Sequence, residues 1–337
     1  MLSTTPFTPH PFARFIAILG RGKNLSRSLD EAEAEEAMAM ILAGDVLPEQ
    51  LGAFLMLLRM KEEGPTELAG FVRAVRKSLL PPEQGLAEVD WSSYAGKKRQ
   101  LPWYLLAALC LAQSGRRVFM HGFDGHTAGR LYTGEVLAAL GLPTASDFVA
   151  ARRQIAQNNF AYMDLGAISP PLARMMGFKP ILGLRSPIHT LARMINPMAA
   201  PCLLQGIFHP NYMSTHRDAA LLLGEPNMVV FRGEGGEVER RPGKPCETQA
   251  VIDGVAIEER WPPLMEEPRQ LPDETMDISR LRAVWRGSLR DDYAEAAIVG
   301  TLAIVLRVMR IAPDQNGAQA QAEDLWRGRD PGRLLAA

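Results

Sequence analysis

Residues 101–122 read LPWYLLAALCLAQSGRRVFMHG, and this stretch decides the architecture. Positions 101–114 are apolar for longer than a strand allows, and Gly115 ends them as a helix. Residues 116–121, RRVFMH, then form a short strand-like run closed by Gly122. Toward the C-terminus the alternation repeats. Residues 131–140 predict a helix ending at Gly141, and 158–165 (NNFAYMDL) predict a second strand. Residues 203–208 (LLQGIF) give a third strand, 228–231 a fourth, and 250–257 one extended stretch, with helices such as 217–223 between them. Alternating strands and helices predict an α/β domain with a mostly parallel sheet. Residues 279–310 read as helical again and are expected to pack on it. Toward the N-terminus the pattern differs. Residues 12–19, 29–43, 48–62 and 65–80 carry apolar positions at helical spacing, punctuated by Gly44-Asp45, Pro48, Pro65 and Pro81-Pro82. The expected organisation is a small helical domain over 1–82, with 186–200 a candidate addition to it, and an α/β domain over 83–337.

The 337 residues are 47% hydrophobic and 22% charged, with a formal net charge of −1. This excludes a disordered chain, a fibre and a bulk polycation. The longest apolar runs, 101–112 and 296–306, are too short to span a bilayer. The first twenty residues lack the basic segment and cleavage site of a secretory signal. Cys110, Cys202 and Cys246 form no CxxC pair and fit no disulfide framework. A reducing, cytoplasmic setting without membrane partners is the expectation. The charge is unevenly placed: residues 86–245 carry a net +6, and the segments before and after carry −2 and −5. Arginine supplies 30 of the 37 cations, which suits bidentate contact with phosphate or carboxylate.

Five segments, in order, carry a family resemblance. GRGKNLSRSLDEAEAEEAMAMILAGDVLPEQLGAFLMLLRMKEEGPTELAGFVRAVR resembles the N-terminal helical domain of family-3 glycosyltransferases, which include anthranilate phosphoribosyltransferase and the pyrimidine nucleoside phosphorylases. VFMHGFDG resembles the strand-plus-KHGN segment of anthranilate phosphoribosyltransferase, and LGLRSPIHTLARMINP its LGxRTxFNxLGPLxNP segment. VVFRGEGGEVER stands where the family has its metal-site segment, and AVWRGSLRDDYAEAAIVGTLAIVL is similar to its closing helices. The resemblance implies a nucleoside phosphorylase/phosphoribosyltransferase-like fold, dimerised through the helical domain.

Departures from the family pattern bear on function. The family's GTGGDG loop binds pyrophosphate through backbone N–H groups and a helix N-terminus. Here residues 90–100 read DWSSYAGKKRQ, and only Gly96 of the glycines remains. In the KHGN segment His121 and Gly122 survive, while Met120 and Phe123 replace the Lys and Asn. The Asp-Glu metal pair becomes Val238-Glu239, which removes a carboxylate ligand. The arginine for an aromatic substrate survives as Arg185, and Asn196-Pro197 survive too. This version of the loop resembles a branch of the family associated with sequence-independent nucleic-acid binding by a dimer.

Two functions follow as expectations. The leading one is a homodimeric DNA- or RNA-binding module without a cofactor, using Lys97, Lys98, Arg99, Arg116, Arg117, Arg152, Arg153, Arg193, Arg240, Arg241 and Lys244 on phosphates. It requires these clusters to share a face. Trp91 and Tyr94 are read equally as base-stacking or core residues, and Trp103 and Tyr104 as core. The alternative is a phosphoribosyl- or glycosyltransferase acting on an anthranilate-like acceptor, with Gly96, His121, Gly122, Arg185, Asn196 and Glu239 as cleft residues and Mg as its ion. His121 and His126 lack a third ligand at zinc spacing, so no zinc site is expected. His121 is expected in the cleft wall, His189 stands where the family has Phe or a similar apolar residue and could face the cleft, and His209 is read as a loop residue. Glu234, Glu237 and Glu239 could hold a cation, but a self-neutralised hairpin with Arg240 and Arg241 is preferred. No thiolate nucleophile is expected at any of the three cysteines.

Overall fold

The computed structural model describes residues 8–22, 24–79, 85–125, 127–267 and 272–335. The expected boundary at residue 82 and His126 lie outside the described residues. Four helices open the chain: α1 Ala13–Gly20, α2 Glu31–Ala43, α3 Pro48–Lys61 and α4 Pro65–Ser78. Local signals set their ends. Asp30 and Glu33 make a reciprocal capping box at α2, and Gly44 closes that helix in the left-handed region at φ 83°. Proline occupies the first position of α3 and α4. Phe12, Phe15, Phe54 and Phe71 pack edge to face at centroid spacings of 5.5, 5.2 and 6.1 Å, forming the centre of the bundle.

The rest of the chain is α/β. Its strands are β1 Val89–Ser93, β2 Val118–Gly122, β3 Phe160–Asp164, β4 Cys202–Ile207, β5 Asn227–Arg232, β6 Cys246–Ile252 and β7 Val255–Trp261. Between and after them run α5 Trp103–Gln113, α6 Thr133–Ala139, α7 Phe148–Asn158, α8 Leu165–Ile168, α9 Pro170–Met176, α10 Lys179–Leu182, α11 Ile188–Leu191, α12 Met213–Leu223, α13 Ser279–Trp285, α14 Asp292–Val308 and α15 Gln315–Gly328. The sheet order is β3-β2-β1-β4-β5-β6-β7. The first five strands are parallel and the last two antiparallel. α5 is apolar all round because it lies between the sheet and α14, and ten of its eleven residues are buried. The opposite face of the sheet, with Phe119, Ala161 and Met163, shares a core with the helical bundle.

Several sequence expectations need correction. The extended stretch over 250–257 is a hairpin, turning at Asp253-Gly254 with φ 53° and 75°. The helical run over 279–310 is broken between α13 and α14, where Gly287 takes φ 71°. Residues 89–93, expected as part of a loop, are β1, the middle one of the five parallel strands. α7 and α15 have no counterpart in the sequence reading. Segment 188–200 packs against α4: Arg76 donates from Nε to the Ile195 carbonyl at 2.9 Å and from Nη2 to the Met194 carbonyl at 3.1 Å, and it pairs with Glu225. Among the described residues no helix is long and apolar enough to cross a membrane. Cys110, Cys202 and Cys246 are free and buried, and burial pushes the Cys110 thiol up to about 12 and that of Cys246 to about 11.

Candidate functional site

In a parallel sheet, ligand-binding groups gather beyond the C-terminal ends of the strands. Here that edge is built by the loops after β1, β2, β4 and β5. After β1, Gly96 takes φ 69°, and the Ala95 and Gly96 N–H groups point the same way. Both donate to Glu237 Oε1, each at 2.6 Å. Glu239 Oε2 accepts from the Tyr104 N–H at 2.9 Å, in the first turn of α5, and Glu239 Oε1 pairs with Lys97 Nζ. Lys97 and Glu239 are 1% and 0% exposed, so the pair is internal. Burial pushes the Glu239 carboxyl up to about 7, against the opposing pull of Lys97. The β5–β6 loop that carries these acids is seated on glycines. A Cβ at Gly206 would lie 2.2 Å from the Glu237 carbonyl carbon, and one at Gly233 would lie 1.6 Å from the Glu237 oxygen. Arg130 fastens the two loops together, donating from Nη1 to the carbonyls of Ala95 (2.8 Å), Gly96 (3.0 Å) and Gly235 (3.4 Å).

A third carboxylate repeats the arrangement one strand over. Asp124 Oδ2 accepts from the Glu135 N–H at 3.1 Å in the first turn of α6, and Tyr162 donates to Oδ1 at 3.3 Å. A Cβ at Gly134 would stand 2.3 Å from that Oδ2, so the glycine is needed for the approach. Burial raises the Asp124 carboxyl to about 6, although the Gly134 N–H favours its charge. Thus N–H donors at the starts of α5 and α6 are met by the chain's own acids.

Beneath these loops is a polar core. His121 Nε2 lies 3.1 Å from Asp90 Oδ1 and His121 Nδ1 lies 2.6 Å from Tyr94 Oη, with all three residues at most 1% exposed. Ser93, Thr133 and Tyr104 share hydroxyl contacts of 2.7–3.2 Å. His121 is therefore a core residue joining β1 to β2, not part of a cleft wall. Gly122 is needed because a Cβ there would come within 2.3 Å of the Ser93 carbonyl. Trp91 and Tyr94 are core, at 0% and 1% exposure, as are Trp103 and Tyr104. Asn196 uses its side chain on the Ala200 N–H and carbonyl at 2.8 and 2.9 Å, so it holds a turn at the N-terminal edge of the sheet. His189 is buried, with Nδ1 3.2 Å from the Ser186 carbonyl, and His209 is exposed after β4.

The basic residues separate into groups. Lys98 and Arg99 are exposed on the β1–α5 loop. Arg185 is half-buried and donates to Thr127 Oγ1 at 2.9 Å, and burial and the nearby Arg130 lower its pKa. Arg193 is held by the Gly206 and His189 carbonyls. Arg241 lies 3.5 Å from Glu234, and Lys244 is exposed. Two expected phosphate contacts are excluded by burial. Lys97 is committed to Glu239, and Arg240 is 0% exposed against Trp261 at 5.4 Å, donating to the Pro262 carbonyl. Loss of solvent lowers the Arg240 pKa to about 10. Arg116 and Arg117 precede β2 and pair with Glu88 at 3.3 and 3.7 Å. They lie at the other end of the sheet from Lys98, about 15 Å away along five-residue strands. Arg152 and Arg153 are exposed on α7, which packs against β3 at one end of the strand order. The expected single basic face is thus divided.

The acidic segment is not a self-neutralised hairpin: Glu237 and Glu239 dock on the β1–α5 loop, and only Glu234 turns to Arg241. The Glu239 oxygens are taken by Lys97 and Tyr104, and no cluster of three metal-ligating side chains exists among the described residues. The residues present therefore do not fit a carboxylate-held divalent ion. Asp124 and Arg130 were not recognised from sequence as shaping the site, and Glu237 reads there as a cation ligand or hairpin acid and not as the acceptor of the Ala95 and Gly96 N–H groups. Their signal, a carboxylate or cation facing a glycine, appears only once the loops meet.

Residues 13–79 match the helical bundle domain of the glycosyl transferase family. Over 247 residues the chain is 29% identical to the uncharacterized protein YbiB of Escherichia coli, covering 72% of this chain and 76% of that protein. Over 210 residues it is 30% identical to the anthranilate phosphoribosyltransferase of Moorella thermoacetica, covering 62% of each. The solved anthranilate phosphoribosyltransferase of Thermus thermophilus superposes with a TM-score of 0.76 at 22% identity, over 97% of both chains. The Saccharomyces cerevisiae enzyme in complex with PRPP and Mg gives 0.78 at 13% identity, over 97% of this chain and 96% of that one. The chain therefore has the fold of anthranilate phosphoribosyltransferase, with a glycosyl transferase helical bundle at its N-terminus and a larger, mostly parallel α/β domain after it.

Proposed function

We propose that this chain binds nucleic acid without sequence preference, as a homodimer, on a phosphoribosyltransferase fold whose donor site is closed. The observation that carries the reading is the seating of Glu237 and Glu239 on the Ala95, Gly96 and Tyr104 N–H groups. These are the donors an incoming pyrophosphate would need, and a phosphate there would meet two carboxylates in place of a preformed cradle. The tight fit of Glu237 on Gly206 and Gly233 argues against easy withdrawal of that loop. At the same edge, Lys98, Arg99, Arg232 and Lys244 keep exposed cations. Such groups give sequence-independent, salt-dependent affinity for phosphate chains. For the dimer, the support is apolar exposure on the helical domain and on the helix beside it: Met60 of α3 is 79% exposed and Ile181 of α10 78%, and Leu182 of α10 lies against Gly52 of α3.

A second reading, pentosyl transfer to an anthranilate-like acid, is favoured by half-buried Arg185 beside Thr127 and by the likeness to anthranilate phosphoribosyltransferases. One pair of measurements separates the two. A labelled random-sequence oligonucleotide is titrated by fluorescence anisotropy at several salt concentrations, and PRPP consumption with anthranilate and Mg is followed in parallel. Salt-dependent binding without PRPP turnover is the expected result. Turnover without oligonucleotide binding would replace the first reading with the second.

A further inference from the structure

Phe208 is 53% exposed, immediately after β4 at the C-terminal edge of the sheet. Its backbone is seated: the Cβ position of Gly236 lies 3.4 Å from both Phe208 N and Phe208 Cβ. The ring therefore projects from a fixed base. Ile207 is in register with Arg232, the last residue of β5, and the Arg232 guanidinium stands 5.8 Å from the Phe208 ring centroid. His209 meets the same ring edge-on, at 5.0 Å and 80°. Arg232 and His209 are themselves exposed. An exposed aromatic ring, with a cation over one of its faces and a second ring at its edge, is thus held on the edge that carries Lys98 and Arg99, and its other face is the one a base would meet.

We infer that Phe208 is a stacking platform for an unpaired nucleobase, with Arg232 taking the adjoining phosphate, so that this edge prefers single strands to duplex. The inference rests on the nucleic-acid reading above and adds the class of strand to it. Every base has a π-face, so stacking on an exposed ring gives affinity without sequence preference. Bases inside a duplex are already stacked on each other and offer the ring no face except at the ends. Phosphate contacts do not make this distinction.

The test compares a single-stranded oligonucleotide with a blunt hairpin duplex of the same composition, across salt. Phe208→Ala is expected to weaken single-strand binding about tenfold, the scale of one lost base stack, with duplex binding and both salt slopes unchanged. Arg232→Ala is expected to weaken both strands and flatten both slopes by about one phosphate contact. Phe208→Trp preserves the platform and adds a reporter, because the native Trp91, Trp103, Trp261, Trp285 and Trp326 are at most 3% exposed. Its emission is expected to be quenched by the single strand and not by the duplex. Equal losses on both strands, no loss on either, or an emission blind to the single strand would overturn the stacking role while leaving phosphate binding intact. A parent protein that binds neither strand at low salt would remove the nucleic-acid reading itself, and the platform with it.

Discussion

Lys97 and Lys98 are adjacent in sequence and opposite in role. Lys97 is buried against Glu239, while Lys98 stands in solvent. A run of three cations reads from sequence as one patch because the partner of the first lies 142 positions away. The distinction is measurable. Lys97→Ala leaves a buried carboxylate without its counter-ion, a loss of about 3–5 kcal/mol. Lys98→Ala is expected to stay within about 0.5 kcal/mol of the parent. Denaturant midpoints check both, and equal midpoints would show that Glu239 does not depend on Lys97. Asp124 supplies a pH test. Its folded pKa, about 6, lies above the ordinary 3.8 because burial disfavours the charge. The folded state therefore holds the proton more tightly than the unfolded chain. This contribution is complete below about pH 4, falls as pH rises through 4–6, and is gone above 6. Asp124→Asn keeps an acceptor for the Glu135 N–H and removes the charge. Its thermal midpoint relative to the parent is expected to rise between pH 4 and pH 7, by the equivalent of about 1–2 kcal/mol after allowing for partial exposure. A relative midpoint that falls over this range would assign Asp124 a favourable charge.

At the scale of elements, the helical bundle and the long apolar α5 were legible because their signals are local: proline and glycine punctuation, a capping acid and helical spacing. Strand β1, the middle one of the five parallel strands, was not. VDWSS places Asp90, Ser92 and Ser93 in a strand buried on both faces, where apolar runs are the rule. The polar groups are tolerated because each finds a partner on another element. Asp90 meets His121, Ser92 donates to the Leu204 carbonyl at 3.0 Å, and Ser93 meets Tyr104 and Thr133. Only the assembled sheet reveals these partners. The same holds for glycines that admit another backbone. Gly206→Ala would drive a methyl into the Glu237 carbonyl, which cannot yield without lifting the β5–β6 loop. The expected outcome is a loss of about 2–3 kcal/mol, comparable to overpacking a core, together with faster amide exchange at Ala95 and Gly96 as their acceptor withdraws. A variant with parental stability and unchanged exchange would mean that the loop is mobile and the donor groups accessible.

Across the whole molecule, the fold class followed from alternation along the chain, whereas the site depended on which end of the sheet each charge reaches. A net +6 over residues 86–245 looks in sequence like one basic surface. The parallel topology divides it, because residues before a strand and residues after it emerge at opposite edges. Arg116 and Arg117 thus stand beside Glu88, remote from Lys98, Arg99 and Arg232. The two groups make different predictions under the proposed function. Replacing Lys98 and Arg99 together with Ala should remove about two phosphate contacts and flatten the single-strand log–log salt slope by about 1.4. Replacing Arg116 and Arg117 should leave affinity and slope near the parental values, because Glu88 already neutralises part of their charge and they face away from the loops. Both pairs remove the same formal charge, so an effect of net charge alone would appear equally in the two. Equal losses would therefore return the binding surface to the whole basic segment, while a loss confined to Lys98 and Arg99 would place it at the C-terminal edge.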